Sequence, residues 1–257
     1  MGRVYLIGAG PGDPELLTLK AARLLEKADV VLHDSLVSRE VLRMVRAAAL
    51  VIDVGKRCGK KLLTQEEINA LLVCYACSHT TVVRLKGGEP SVFARAGEEI
   101  EALHRAGVDF QIVPGVTAAF AAAAAARIPL TDRRVASQIL FATFSRNADA
   151  SARDWGALPP ETTLVLYMPG PKYAEVANRL TDAGLPADLP CVVVSNASRA
   201  EQQIRWTSIG ALAGEVELAA PTLMIVGRVA SRNFDEWREK VWSGERIERG
   251  AEGVSVV

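Results

Sequence analysis

What the sequence lacks narrows its function first. Its four cysteines, at positions 58, 74, 77 and 191 of 257, are too few and too scattered for a disulfide framework. A cytoplasmic protein with reduced thiols is expected. Three histidines, at 33, 79 and 104, show no ligand spacing, so no metal is expected. Lys and Arg number 30 and so do Asp and Glu, which leaves no overall field to attract nucleic acid or an anionic membrane. The longest apolar stretch, 116–126, is mostly alanine and falls short of the roughly 20 residues that span a bilayer. The chain enters a strand pattern at once, without the basic and apolar regions of a signal peptide. A G-x-S-x-G elbow is absent, as is any other covalent-nucleophile signature.

What is present is an alternation of short apolar runs and helical patterns, which predicts an α/β protein. Strands are expected at 4–7, 30–33, 50–54, 81–85 and 110–113, with helices at 15–27, 39–46, 64–77 and 96–106 between them. Thr64-Gln-Glu-Glu67 fits a capping box that fixes one helix start. This half reads as a mainly parallel sheet covered on both faces. After Pro114-Gly115 the pattern restarts, with a helix at 116–126 and strands at 138–143, 163–168, 191–195, 203–207 and 222–226. Helices are expected at 172–183 and 234–242. The polar–apolar alternation of 203–207 predicts antiparallel pairing there, hence a mixed sheet. A boundary is placed at 114, giving domains at 1–114 and 115–245 and a flexible tail at 246–257.

Two glycine-rich turns follow strands in the first half, Gly8-Ala-Gly-Pro-Gly-Asp13 and Gly87-Gly-Glu-Pro90. Stripped of side chains, each lets main chain approach a ligand, and the pair suggests one shared pocket. The first is not a dinucleotide fingerprint: its third glycine comes one residue early, and Pro11 removes a donor. No Lys-Ser/Thr follows Gly12, so a Walker-type phosphate loop is excluded. Gly8, Asp34, Lys56 and Gly87 all fall at or just after strand ends, where ligands of open parallel sheets bind. Cys74-Tyr-Ala-Cys77 lies in a helical pattern without a second pair and is expected to pack as ordinary helix. Basic clusters at Lys56, Arg57, Lys60 and Lys61 and at Arg127, Arg133 and Arg134 suit either solvent or a substrate bearing many carboxylates.

Several segments together resemble the tetrapyrrole methylases over nearly the full length. They are residues 4–20, from Val4 to Lys20, Ala28-Asp-Val-Val-Leu-His-Asp-Ser-Leu-Val-Ser38, Val54-Gly-Lys-Arg57 and Gln65-Glu-Glu-Ile-Asn69. Val82-Val-Arg-Leu-Lys-Gly-Gly-Glu-Pro90, Gly97-Glu-Glu99, Val113-Pro-Gly-Val-Thr-Ala118 and Ile128-Pro-Leu-Thr131 complete them. The Asp-x-Leu-Val-Ser and Gly-Lys-Arg segments favour the branch acting on uroporphyrinogen III. The resemblance implies the two-domain fold of that family, with a mainly parallel N-terminal sheet and a mixed C-terminal one. It implies a homodimer that transfers methyl groups from S-adenosylmethionine to a tetrapyrrole, releases S-adenosylhomocysteine and serves siroheme or cobalamin formation. By position, the methyl-donor site falls on Pro11, Gly87, Gly88, Glu89, Val92, Thr117, Ala118, Met168 and Ala197. The family's proton acceptor falls on Asp34 and its proton donor on Lys56.

This chain departs from the family pattern in places. Gly-Gly-Asp-Pro becomes Gly-Gly-Glu-Pro at Glu89, Phe-Gly-Arg-Gly-Gly becomes Phe93-Ala-Arg-Ala-Gly97, and Leu-Thr-His-Arg becomes Leu130-Thr-Asp-Arg133. Thr-Gly-His becomes Thr143-Phe-Ser145, a donor-site glycine becomes Ala197, and Gln-Arg becomes Gln202-Gln203. A methylase of another precorrin and a non-catalytic paralogue that binds S-adenosylmethionine or tetrapyrrole are the alternatives. A nicotinamide oxidoreductase ranks behind both, because the fingerprint spacing is wrong.

Overall fold

The computed structural model describes residues 1–57, 60–61, 63–144, 158–159 and 161–231, with main chain alone at 56–57 and 60–61. Cys58, Ser145, the expected helix at 234–242 and the tail at 246–257 lie outside the described residues. The first half runs β1 (Arg3–Gly8), α1 (Leu19–Leu25), β2 (Val30–His33), α2 (Arg39–Leu42) and β3 (Leu50–Asp53). It continues through β4 (Lys56–Arg57), β5 (Lys60–Lys61), α3 (Gln65–Ser78), β6 (Thr81–Lys86), α4 (Ala96–Arg105) and β7 (Phe110–Val113). The second half holds α5 (Ala118–Ala125), β8 (Gln138–Thr143), β9 (Thr162–Tyr167), α6 (Tyr173–Asp182), β10 (Pro190–Ser195), β11 (Gln203–Ser208) and β12 (Thr222–Val226).

The first sheet has the order β3-β2-β6-β1-β7 and every pairing is parallel. Strand period two divides its side chains between two cores. Val4, Leu6, Val30, Leu32 and Val82 face Ile68, Leu72 and Ala76 of α3 and Leu103 of α4. Ile7, Val31, Val83 and Leu85 face Ala21 and Leu25 of α1 and Val41 of α2. The second sheet is mixed, with the order β11-β10-β12-β9-β8. Only β8 and β9 are parallel in it; β11 runs antiparallel to β10, as its alternation predicts. One face takes Ala119, Ala122 and Ala123 of α5, and the other takes Tyr173, Val176 and Leu180 of α6. The alanine-rich run at 116–126 is thus a short helix that lets main chain sit close on a sheet.

Two local expectations change and one element is new. The helix expected at 15–27 is split, because two successive caps compete for its first turns. Asp13 accepts from the Glu15 N–H at 2.9 Å and starts a 3₁₀ turn at Pro14–Leu16. Thr18 then accepts from the Ala21 N–H at 3.2 Å and starts α1. Cys74 and Cys77 are not packed: they are exposed, since Ile68, Leu72 and Ala76 take the inner stripe of α3. The hairpin β4–β5, pairing Lys56 with Lys61 and Arg57 with Lys60, has too short a pattern to be seen in sequence. By contrast, the Thr64–Glu67 capping box forms as expected, with bonds of 2.6 and 3.2 Å.

Complete burial in β10 pushes the Cys191 thiol up to about 12, with the Glu215 charge adding to it. Between the ordinary value of 9.0 and about 12 only the folded state keeps that proton. The contribution of Cys191 is therefore complete below that window and falls as pH rises through it. Native alkylation at pH ~8 should label Cys74 and Cys77 and spare Cys191 until the chain is unfolded, as read by peptide mass spectrometry. Labelling of Cys191 at the rate of Cys74 would contradict its burial.

Candidate functional site

Because β1, β2 and β6 are parallel, their carboxyl ends share one edge, and the loops that leave them meet there. The second sheet brings the end of β9, the end of β10 and the start of β12 to the same place. Between them lies a cavity of about 440 Å³, within the usual size range of small-molecule sites. Pro11, Gly87, Gly88, Glu89, Val92, Thr117, Ala118, Met168 and Ala197 all line it, and Asp34 does too. Lys56 begins β4 directly after Gly55, whose main chain packs against Ser35, so its backbone lies next to the Asp34 loop. The two glycine-rich turns do share one pocket.

Main-chain contact joins those turns. Gly10 N–H donates to Gly88 O at 3.2 Å and Gly88 N–H to Gly10 O at 2.8 Å. A Cβ on Gly8 would lie 2.6 Å from Gly115 N and from Gly88 O, and one on Gly115 would lie 2.5 Å from Gly88 O. No side chain fits at either position. Glu89 braces the same junction: Oε2 accepts from Gly115 N–H at 2.7 Å and Oε1 from the Ser91 hydroxyl at 2.8 Å. Its extra methylene relative to aspartate is thus committed to holding loops together. Five non-glycine residues with left-handed φ lie on loops around the cavity, namely Phe93 (50°), Arg95 (56°), Met168 (51°), Asn196 (49°) and Ser198 (64°). Such conformations persist where surrounding structure enforces them, and they cluster at functional sites.

Beneath one end of the cavity runs a buried chain of charges. Arg84 and Lys86, alternate residues of β6, point to the same face as Val82, towards α4. Glu99 of α4, fully buried, accepts from Arg84 Nε at 2.9 Å and from Lys86 Nζ at 2.8 Å. Arg84 also donates through Nη2 to Asp34 Oδ1 and through Nη1 to the Leu85 carbonyl at 3.2 Å. Asp34 Oδ2 has no partner among the described residues. Burial alone would lower the Arg84 pKa, but the Asp34 and Glu99 charges outweigh it and the net shift is upward. Burial and the neighbouring Arg84 charge push Lys86 down, against the pull of Glu99. Ions this deep stay charged only as a matched set.

Phe93 and Tyr167 give the cavity an aromatic lining as well. Phe93 and Tyr167 rings lie 5.1 Å apart, and Phe141 stands 5.8 Å from Tyr167. The Tyr167 hydroxyl bonds Thr117 Oγ1 at 2.5 Å. Burial raises the phenol pKa despite that bond, so it stays neutral. Sequence reasoning missed Arg84, Lys86, Glu99, Phe93, Tyr167 and Arg199, which line or support the cavity. The signal for two of them was present: Arg84 and Lys86 interrupt a strand whose parallel neighbours require burial, which demands carboxylate partners. Among the departures, Glu89, Ala94 and Ala197 line the cavity, whereas Asp132 and Phe144 do not. Asp132 pairs with Arg134 at 2.7 Å, which holds its carboxyl at about 2, and Gln202 accepts from Ser198 N–H at 2.8 Å beneath the Ala197 loop.

Comparison with known proteins agrees with this fold. The family model for tetrapyrrole (corrin/porphyrin) methylases matches residues 3–213. A uroporphyrinogen-III C-methyltransferase of Paracoccus denitrificans is 52% identical over 240 residues, 91% of this chain and 84% of its own. Siroheme synthase 1 of Yersinia enterocolitica is 45% identical over 251 residues, 95% of this chain but 52% of its own, so the chain spans about half of that relative. Among solved structures, uroporphyrin-III C-methyl transferase from Thermus thermophilus complexed with S-adenyl homocysteine is 40% identical with a TM-score of 0.78. That match covers 89% of this chain and 98% of that one.

The glycine junction gives a direct test. Gly115→Ala should cost about 1–3 kcal/mol in urea unfolding, as overpacking does. Gly97→Ala, whose Cβ meets nothing within 4 Å, should not destabilise. Equal effects at both positions would show that the turns do not meet so closely.

Proposed function

The chain belongs to the tetrapyrrole methylases, and from that premise we propose that it methylates uroporphyrinogen III twice, using S-adenosylmethionine, to give precorrin-2. The observation that carries this reading is the one cavity to which both glycine-rich turns contribute, lined also by Phe93, Tyr167 and the Asp34 carboxylate. High identity to a uroporphyrinogen-III C-methyltransferase supports the choice of acceptor. Precorrin-2 would then serve siroheme or cobalamin formation.

The residues fit the methyl donor. Pro11, Gly87 and Gly88 offer walls without long side chains, and a Cβ on Gly87 would already meet Leu36 at 2.8 Å. Val92, Ala118, Met168 and Ala197 supply apolar lining, with Thr117 and Glu89 bracing the loops. When bound, S-adenosylmethionine supplies an electrophilic sulfonium methyl, which requires neither a metal nor a covalent nucleophile from the protein. The chain's own work is to bind, orient and exclude water. Positioning of this kind is worth on the order of 7–11 kcal/mol in favourable cases. Methylation leaves the substituted ring carbon quaternary and the ring cationic; Asp34, held through Oδ1 by Arg84, takes the proton then lost from the ring nitrogen or a bridging carbon. Lys56 donates a proton or pairs with a substrate carboxylate. Phe93 and Tyr167 keep water from the reacting end.

The same reading includes domains at 1–114 and 115–245 with a tail at 246–257. Its support is that the first sheet ends at Val113 while α5 packs on the second. It includes a cytoplasmic homodimer without a resident metal, nucleic-acid partner or membrane attachment. Among the described residues no helix is long and apolar enough to cross a membrane, and no cluster of ligating side chains suits a metal ion.

Anaerobic incubation with uroporphyrinogen III and methyl-labelled S-adenosylmethionine should place two labelled methyls on the tetrapyrrole by mass spectrometry. Donor binding without any label would contradict the reading and turn attention to other precorrins or to a binding protein. Asp34→Asn should lower turnover by about 100-fold or more while donor affinity survives. Unchanged turnover would remove Asp34 from the chemistry.

A further inference from the structure

Among the described residues, six charged side chains line the cavity: Asp34, Arg84, Lys86, Glu89, Arg95 and Arg199. Three of the four cations have carboxylate partners. Arg84 is bound by Asp34 and Glu99, and Lys86 by Glu99. Arg95 forms a two-point pair with Glu98, at 2.7 and 2.6 Å. Arg199 alone has no carboxylate within ion-pair distance among the described residues. Its guanidinium donates instead to two neutral main-chain oxygens, from Nε to Pro11 O at 3.2 Å and from Nη2 to Leu36 O. Nη1 has no partner among the described residues.

The loop around Arg199 is built to hold it there. Arg199 N–H donates to Asn196 O at 3.0 Å, Gln202 N–H returns to Arg199 O at 3.1 Å, and Ser198 accepts from Asp13 N–H at 3.2 Å. The side chain lies flat on Gly12, where a Cβ would come within 2.7 Å of its Cγ and Nε. A guanidinium does not deprotonate in a protein and presents five donors in a fixed fork. Here that fork is held in place, charged, facing a cavity, with donors left over. Its planar donor pattern matches a carboxylate.

We propose that Arg199 is a carboxylate-binding subsite of this cavity, engaged by an acid group of a bound substrate. The inference rests on the methyl-transfer reading, which supplies two sources of that group. One is the amino-acid carboxylate of S-adenosylmethionine, beside the Pro11 turn. The other is an acetate or propionate of the tetrapyrrole, beside the Leu36 loop.

Arg199→Gln removes the charge and Arg199→Lys keeps it. Affinities for S-adenosylhomocysteine and its decarboxylated analogue test the donor source, and the KM for uroporphyrinogen III tests the acceptor. Loss of a charged hydrogen bond corresponds to about 10- to 100-fold. If the donor carboxylate is bound, the preference for S-adenosylhomocysteine over its analogue shrinks by that factor in Arg199→Gln. If the acceptor is bound, KM rises by that factor, further than kcat falls, and Arg199→Lys recovers much of the loss. The proposal is overturned if both quantities stay as in wild type. It is also overturned if both nucleosides weaken together without a KM rise, or if Arg199→Lys recovers none of a KM rise, since loss of the clasp on Pro11 and Leu36 then explains the effect. Wild-type protein that neither binds S-adenosylhomocysteine nor methylates uroporphyrinogen III would refute the underlying reading instead, before any variant is compared.

Discussion

The close approach of Gly8, Gly88 and Gly115 is the constraint on which the site depends. A β-carbon on Gly8 or Gly115 would lie inside another backbone, and Gly88 holds a left-handed φ of 72°. That contact brings together the turn after β1, the turn after β6 and the segment leading to α5. The paired Gly10–Gly88 hydrogen bonds and the Glu89 carboxylate on Gly115 fix the junction further. The cavity beside it is lined by the Asp34 loop and by residues of the second sheet. A side chain at the junction would push these loops apart and separate the groups that line the cavity.

The buried ions are the second commitment. Two cations in the central strand of a parallel sheet oppose folding unless each is matched, and Glu99 matches both from α4. An apolar pair at 84 and 86 would pack without that desolvation. Arg84 extends beyond Glu99 to Asp34, so the core charge set ends in a carboxylate at the cavity. Local rules of burial are broken where the chain meets its ligand, as expected of a functional site.

Much of the architecture is legible in the sequence because strand and helix periods are strong. Both sheets, the Thr64 cap and the antiparallel β11 follow from pattern alone, and the two glycine turns announce a common pocket. Other features depend on contacts that no local pattern encodes. The Asp13 and Thr18 caps compete within one helical stretch, and β4–β5 is too short to show a period. Arg199 reaches Pro11 and Leu36 from the second sheet's part of the sequence, so its partners appear only in three dimensions. The candidate residues from Pro11 to Ala197 were accessible through resemblance to a family; the aromatic lining and the ion chain were not.

The central claim is that the two glycine turns form one cavity that receives the methyl donor. A crystal structure of the protein with S-adenosylhomocysteine tests it most directly. The account predicts the nucleoside in that cavity, against the main chain of Gly87, Gly88 and Thr117. S-adenosylhomocysteine bound elsewhere on the protein would contradict it.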